Sequence, residues 1–237
     1  MSKIYCIRHA QASYLADNYD QLSPKGIEQS KLLGQFLVNK GIQFDRVFVG
    51  PLVRQKHTYE LVANAYEKKG MEMPKPTFLN ELKEHEGTEG VTIYMPRLMQ
   101  ENPTVNALML AIQDNPELRR RNTLLSFQIF MDEWTAGNIT VDGIESWESF
   151  REDVSKGLKQ ILSETQRKEN VAVFTSGGTI ASITGTALAM ENNQRVGALN
   201  FSIRNTSISQ FLYSKNRFDL LSLNEVHHLS DDMISYV

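Results

Sequence analysis

The stretch Ile4-Tyr5-Cys6-Ile7-Arg8-His9-Ala10 joins an apolar run to an arginine and a histidine. The run predicts a short buried β-strand, so the two polar residues lie where the strand gives way to a loop. A histidine beside an arginine at such a point suits a nucleophile that carries a phosphoryl group while a fixed cation neutralises its oxygens. We therefore expect phosphoryl chemistry at His9.

Apolar runs alternate with helical patterns along much of the chain. Strands are predicted at residues 3–7, 46–49 and 171–174, and helices from Pro24 to Gly41, after Pro51 and over residues 179–190. This order predicts a three-layer α/β/α fold with a mostly parallel sheet buried on both faces. Residues 207–213 and 218–223 are expected to form a hairpin that adds an antiparallel edge.

The alternation of predicted strands and helices is interrupted between about residues 91 and 142. Three short helices are predicted there, at residues 95–99, 105–113 and 117–134. No linker rich in Gly, Ser or Pro sets this segment apart. We expect a helical insertion over the active-site end of one domain that spans residues 1–237.

Composition narrows the class of partner. The 237 residues contain 25 basic and 28 acidic side chains, which gives a net charge of −3 and no reason to expect nucleic acid. No stretch reaches the roughly 20 apolar residues that cross a bilayer, and no apolar signal region opens the chain. A single cysteine excludes an internal disulfide. The expectation is a cytoplasmic protein without a membrane partner.

Three predicted strand ends bring polar groups to one edge of the sheet. Arg8 and His9 follow the first strand, Arg54 lies in the first helical turn after the second, and Ser176-Gly177-Gly178 opens a helix after the third. In an open α/β sheet such groups collect at the carboxyl ends of the strands. Two guanidiniums and the backbone N–H groups of a helix start suit a phosphate. No His or carboxylate cluster has the spacing of metal ligands, so we expect neither metal nor cofactor.

Several motifs resemble those of one family in order and spacing. Arg8-His9-Ala10 resembles an Arg-His-Gly opening, residues 22–29 resemble Leu-Thr-x-x-Gly-x-x-Gln, and residues 51–58 resemble Pro-Leu-x-Arg-Ala-x-Gln-Thr. Residues 82–90 resemble a Leu-x-Glu segment before a Gly-x-x-Glu-Gly turn. The chain resembles the histidine phosphatase superfamily, the phosphoglycerate mutase-like proteins, over nearly its whole length.

This resemblance implies a role for each matching residue. His9 would form a phosphohistidine while Arg8 and Arg54 clamp the phosphoryl oxygens. Glu84 would be the general acid, with Glu81 and Glu86 as neighbouring alternatives.

One position departs from the family pattern. Ser176 occupies the place of the family's second histidine. Its side chain is expected to face the same pocket as His9. The other histidines, His57, His85, His227 and His228, are expected to be structural or to lie on the surface.

The resemblance implies a phosphatase that needs no metal. Its substrate would be a small phosphomonoester or a phosphoprotein. The alternative is a protein of the same fold that binds a phosphorylated ligand or acts as a scaffold with weak or no catalysis, because Ser176 replaces a catalytic donor.

Overall fold

The computed structural model describes residues 1–13, 20–215 and 217–236. Its strands are β1 (Ser2–Arg8), β2 (Arg46–Val49), β3 (Thr77–Phe78), β4 (Asn170–Thr175), β5 (Ile208–Ser214) and β6 (Arg217–Glu225). They form one sheet in the order β3-β2-β4-β1-β5-β6. The first four are parallel, β5 runs antiparallel to β1, and β6 runs antiparallel to β5. The predicted mostly parallel sheet with an antiparallel hairpin at one edge is confirmed.

Helices cover both faces of this sheet. They are α1 (Pro24–Asn39), α2 (Val53–Glu67), α3 (Gly87–Glu101), α4 (Pro103–Asp114), α5 (Arg119–Thr135), α6 (Trp147–Glu164), α7 (Gly177–Ala187) and α8 (Asn193–Asn200). Alternate residues of β1 point to opposite faces. Tyr5 and Ile7 join a core cluster with residues of α1 and α2, whereas Ile4 and Cys6 join the cluster that includes residues of α6 and α7. Burial on both faces explains the unbroken apolar run.

The sequence sets both ends of α1. The hydroxyl of Ser23 accepts a hydrogen bond from the Gly26 N–H at 3.0 Å, and Pro24 is the first helical residue. Gly41, two residues beyond the helix, has φ of +65°, which glycine adopts without strain.

The insertion is helical, but its boundaries differ from the prediction. Helix α3 begins at Gly87 rather than near residue 95 and continues through Pro96. Helices α3, α4 and α5 pack on one another and bury Tyr94, Val105 and Phe130. The sequence patterns did not mark β3 or α8, which are short. Within the described ranges, no helix is both long and apolar enough to span a bilayer.

Gly26 holds the loop after β1 close to α1, and we predict that Gly26→Ala destabilises the protein. A Cβ at residue 26 would overlap the carbonyl oxygen of Gln11, a backbone atom that cannot move aside alone. The free energy of unfolding should fall by about 1–3 kcal/mol, measured by urea denaturation. Glu28→Ala, an exposed change on the same helix, should alter it by less than about 0.5 kcal/mol. Equal stability of Gly26→Ala and Glu28→Ala would contradict the prediction.

Candidate active site

A cavity of about 690 Å³ opens at the carboxyl ends of β1 and β2. Polar residues from several elements line it, namely Arg8, His9, Asp20, Arg54, Lys83, Glu84, His85, Glu86, Glu89 and Asn200. An apolar wall faces them and includes Val91, Leu124, Phe127, Ile144 and Phe201. The structure thus brings together four residues that the sequence analysis selected for catalysis, Arg8, His9, Arg54 and Glu84.

His9 is held rigidly at the end of β1. Its backbone N–H donates to the Thr175 carbonyl at 2.8 Å, and its own carbonyl accepts from the Asn205 side chain at 3.2 Å. The ring Nδ1 lies 2.8 Å from the carbonyl oxygen of Ala10. A carbonyl can only accept, so Nδ1 carries the ring proton and Nε2 keeps its lone pair.

The lone pair of His9 faces Arg54. The Nε–H of Arg54 donates to the His9 Nε2 at 3.1 Å, and the Arg54 Nη1 forms an ion pair with Asp20 at 2.8 Å. Burial lowers the pKa of His9 well below its usual 6.5, and the charges of Arg54 and then Arg8 lower it further. His9 is therefore a neutral imidazole whose unprotonated nitrogen faces a cation.

Two backbone carbonyls hold the Arg8 guanidinium. Its Nη1 donates to the carbonyl of Ile203 and, at 2.6 Å, to the carbonyl of Tyr236 near the end of the chain. Two fixed acceptors hold the cation in place before any substrate is engaged. Arg8 and Arg54 both line the cavity with His9, as the strand-end argument predicted.

Glu84 lies in the cavity wall and also caps α7. Its Oε1 accepts from the Gly178 N–H at 3.0 Å and from the His85 N–H at 3.1 Å. A carboxylate at a helix N-terminus interacts favourably with the helix dipole. Of the two alternative glutamates, Glu86 lines the cavity, whereas the Glu81 side chain packs beside Gly157.

Contrary to the expectation from the sequence, Ser176 does not face the cavity. The residue is fully buried, and its hydroxyl accepts a hydrogen bond from the Gln55 Nε2 at 2.7 Å. The same Gln55 amide donates to the Leu82 carbonyl at 3.0 Å, and its oxygen accepts from the Leu52 N–H. Gln55 thus draws the serine into a polar contact between β4 and α2. The Gly178 amide expected to face a phosphate donates to Glu84 instead, and neither Gly177 nor Gly178 lines the cavity.

One histidine that the sequence analysis assigned to structure lies in the cavity wall. The His85 ring packs against the rings of Trp134, Trp147 and Phe150 at centroid distances of 5.5–5.7 Å. Burial lowers the pKa of His85 below 6.5. The other histidines, His57, His227 and His228, do not line the cavity.

Two further cavity residues, Asp20 and Asn200, carried no sequence signal. Asp20 comes from the segment between β1 and α1, and Asn200 ends α8. Tertiary packing, not a motif, brings both to the site. Across residues 1–13, 20–215 and 217–236, no group of three or more His, Cys, Asp or Glu side chains could hold a metal ion.

Solved structures share this fold over almost the entire chain. A phosphoglycerate mutase from Bacillus anthracis str. Sterne aligns with a TM-score of 0.65 at 18% identity, covering 96% of this chain and 94% of that one. A phosphoserine phosphatase from Entamoeba histolytica, solved with 3-phosphoglyceric acid, aligns with a TM-score of 0.61 at 20% identity, covering 97% and 100%. The α-ribazole phosphatase from Shigella flexneri gives a TM-score of 0.61 at 19% identity, covering 94% and 96%.

Sequence comparison gives the family. A 2,3-bisphosphoglycerate-dependent phosphoglycerate mutase from Rhizobium rhizogenes (strain K84 / ATCC BAA-868) is 30% identical over 81 residues, which span 32% of this chain and 38% of that enzyme. The profile of the histidine phosphatase superfamily (branch 1) matches residues 4–94 and 117–226. These ranges include Arg8, His9, Arg54 and Glu84. The chain belongs to the histidine phosphatase superfamily.

Proposed function

We propose that the protein is a phosphatase that hydrolyses a phosphomonoester through a phosphohistidine on His9, without a metal ion. The observation that carries this proposal is the state of His9. Its Nδ1 proton is fixed on the Ala10 carbonyl, its Nε2 lone pair accepts from the buried Arg54, and the buried Arg8 lines the same cavity. A neutral, oriented imidazole among fixed cations suits attack on an anionic phosphoryl group.

The first step transfers the phosphoryl group to the protein. The Nε2 lone pair of His9 attacks phosphorus, and the ester P–O bond breaks as the N–P bond forms. Arg54 and Arg8 donate to the phosphoryl oxygens. Glu84 enters this step protonated, gives its proton to the departing alcohol oxygen and is left as a carboxylate.

The second step regenerates the enzyme. Water attacks phosphorus, the N–P bond breaks, and the Glu84 carboxylate takes the proton that water releases. The Ala10 carbonyl holds the Nδ1 proton throughout, so the same nitrogen serves as nucleophile and leaving group.

The charges of the cavity favour a phosphatase over a mutase. A mutase must also hold a second anionic group of its bisphosphate intermediate. Among the described cavity residues, the basic side chain besides Arg8 and Arg54 is Lys83, which forms an ion pair with Glu145 at 2.9 Å. Glu86 and Glu89 add negative charge nearby, and the opposite wall is apolar. These walls suit a small phosphomonoester, or a phosphoprotein segment, whose alcohol part is neutral and partly apolar.

A second candidate function is binding of a phosphorylated ligand without turnover. The engagement of Glu84 as the cap of α7 and of Ser176 with Gln55 favours this candidate, since both side chains already have partners. The two functions differ in whether phosphate is released.

Phosphate release in the presence of a chelator is the first test. We expect the protein to hydrolyse members of a panel of aryl phosphates, alkyl phosphates, a phosphoamino acid and phosphopeptides, and His9→Ala to release no phosphate. His57→Ala, a histidine change outside the cavity, should keep full activity. Binding of inorganic phosphate without turnover of any substrate would instead support the second function, and turnover retained in His9→Ala would refute the assigned nucleophile.

The protonation of His9 is the second test. Because burial and two cations lower its pKa well below 6.5, His9 should remain neutral as the pH falls through 6.5. The ¹⁵N chemical shifts of its ring nitrogens should therefore stay constant through that pH. Arg54→Gln removes a cation, so the pKa of His9 should rise toward 6.5 in that variant. A wild-type His9 that titrates at 6.5 or above would contradict this assignment.

The general acid is the third test. Glu84→Gln keeps an oxygen to accept from Gly178 but cannot supply the proton. Hydrolysis of alkyl phosphates should slow by about 10²–10⁴, while aryl phosphates, whose leaving groups need little protonation, should slow far less. Glu86→Gln is the matched control from the same segment. Equal slowing of both substrate classes would assign Glu84 to binding or structure, and a selective effect in Glu86→Gln would transfer the role to Glu86.

A further inference from the structure

The segment after β4 carries Ser176 rather than a histidine, and this serine does not line the cavity. Gln55 stands at the alanine position of the family's Pro-Leu-x-Arg-Ala motif. Its side-chain amide donates a hydrogen bond to the Ser176 hydroxyl. The serine is thereby committed to the core. A donor to the phosphoryl group must come from another element.

The His85 ring lies beside the N-terminus of α7 in one defined tautomer. It packs so close to Gly178 that a Cβ there would overlap the ring. The Gly87 N–H donates to the His85 Nδ1 at 3.0 Å, so Nδ1 carries no proton. A ring whose Nδ1 accepts a hydrogen bond is neutral and carries its single proton on Nε2, and burial, which lowers the pKa of His85, favours the same neutral form.

That tautomer fixes the side chain of Asn200. The Asn200 amide lies 2.9 Å from the His85 Nε2, with its Nδ2 placed toward the ring. A protonated Nε2 needs an acceptor, and the oxygen and nitrogen of an amide exchange places by a half-turn. The amide oxygen therefore belongs at the ring, and the NH2 group belongs on the opposite side.

The opposite side of the amide lies toward the Arg8 guanidinium. The other polar atom of the Asn200 amide lies against Gly177. A Cβ added to Gly177 would overlap that atom and would lie 3.4 Å from the Arg8 Nε. An NH2 group here joins the Arg8 guanidinium in a region rich in donors. An anionic oxygen is the natural acceptor for such a group.

We propose that Asn200 donates its side-chain N–H to a non-bridging oxygen of the phosphoryl group on His9, in place of the family's second histidine. His85 is the positioning residue that holds the amide in the orientation this requires. The inference rests on phosphoryl transfer at His9, the function proposed above. It assigns to α8 and to residue 85 a task that the strand end after β4 cannot perform in this chain.

Orthovanadate binding tests Asn200 without requiring turnover. Asn200→Asp keeps the size and the oxygen that accepts from His85 but replaces the donor by a carboxylate. Vanadate affinity, measured by calorimetry with the whole chain, should fall by about tenfold to a hundredfold. Asn193→Asp introduces the same charge change at the other end of α8, outside the cavity, and should leave the affinity within about twofold of wild type.

The positioning role of His85 requires a second measurement. His85→Phe keeps an aromatic ring among Trp134, Trp147 and Phe150 but removes both ring nitrogens. It should weaken vanadate binding in the wild-type background and have little further effect in Asn200→Asp, because both changes remove one donor. In the wild-type protein, ¹⁵N shifts of the His85 ring should show the Nε2–H tautomer, a readout independent of the variants.

The outcomes separate this inference from the proposed function. Weaker vanadate binding in Asn200→Asp than in wild type, without turnover by the wild-type protein, keeps Asn200 as a donor to the bound anion and overturns hydrolysis. Wild-type turnover with unchanged vanadate affinity in Asn200→Asp overturns the Asn200 assignment alone. An Nδ1–H tautomer of His85, additive effects of the two substitutions, or no vanadate binding by the wild-type protein also overturns it.

Discussion

The parallel pairing of β1 with β4 is the constraint on which the rest of the site depends. It sets Arg8 opposite Thr175, and the Thr175 carbonyl then accepts from the backbone N–H of His9. With β5 on the other side of β1, the strand that delivers the histidine lies in the middle of the sheet. A reactive side chain at the end of a central strand inherits the rigidity of the core, because moving it would break pairing on two sides. The insertion and the chain end can therefore form cavity walls without having to hold His9.

Both cavity arginines already have hydrogen-bond partners within the protein. Arg54 divides its donors between the His9 ring and Asp20, and Arg8 donates to two backbone carbonyls. These contacts allow buried cations to remain beside a neutral imidazole, since an unpaired buried charge is strongly unfavourable. A phosphoryl group that binds here must compete with acceptors already in place. The proposed ligand would need anionic oxygens that are better acceptors than a neutral ring nitrogen or a carbonyl.

Ser176 belongs to a connected set of residues. Gln55 bridges Ser176 and the Leu82 carbonyl, and the chain after Leu82 places Glu84 on the N-terminus of α7. His85 follows and fills the space beside Gly178, which only a residue without a side chain leaves open. The serine that follows β4 is therefore linked to the position of the neighbouring segment. In the structure, Ser176 is one part of the packing around the N-terminus of α7.

The sequence by itself determined the sheet, its antiparallel edge, the family and the cluster of Arg8, His9 and Arg54, because each depends on local patterns or on strand ends that meet at one edge. It also pointed to Glu84, although not to its contact with α7. The orientation of Ser176 escaped prediction because it depends on Gln55, which lies on a different element. Asp20 lies between β1 and α1, His85 lies between β3 and α3, and Asn200 ends the short helix α8. Only the tertiary structure decided those positions, since they result from long-range packing that no spacing along the chain encodes.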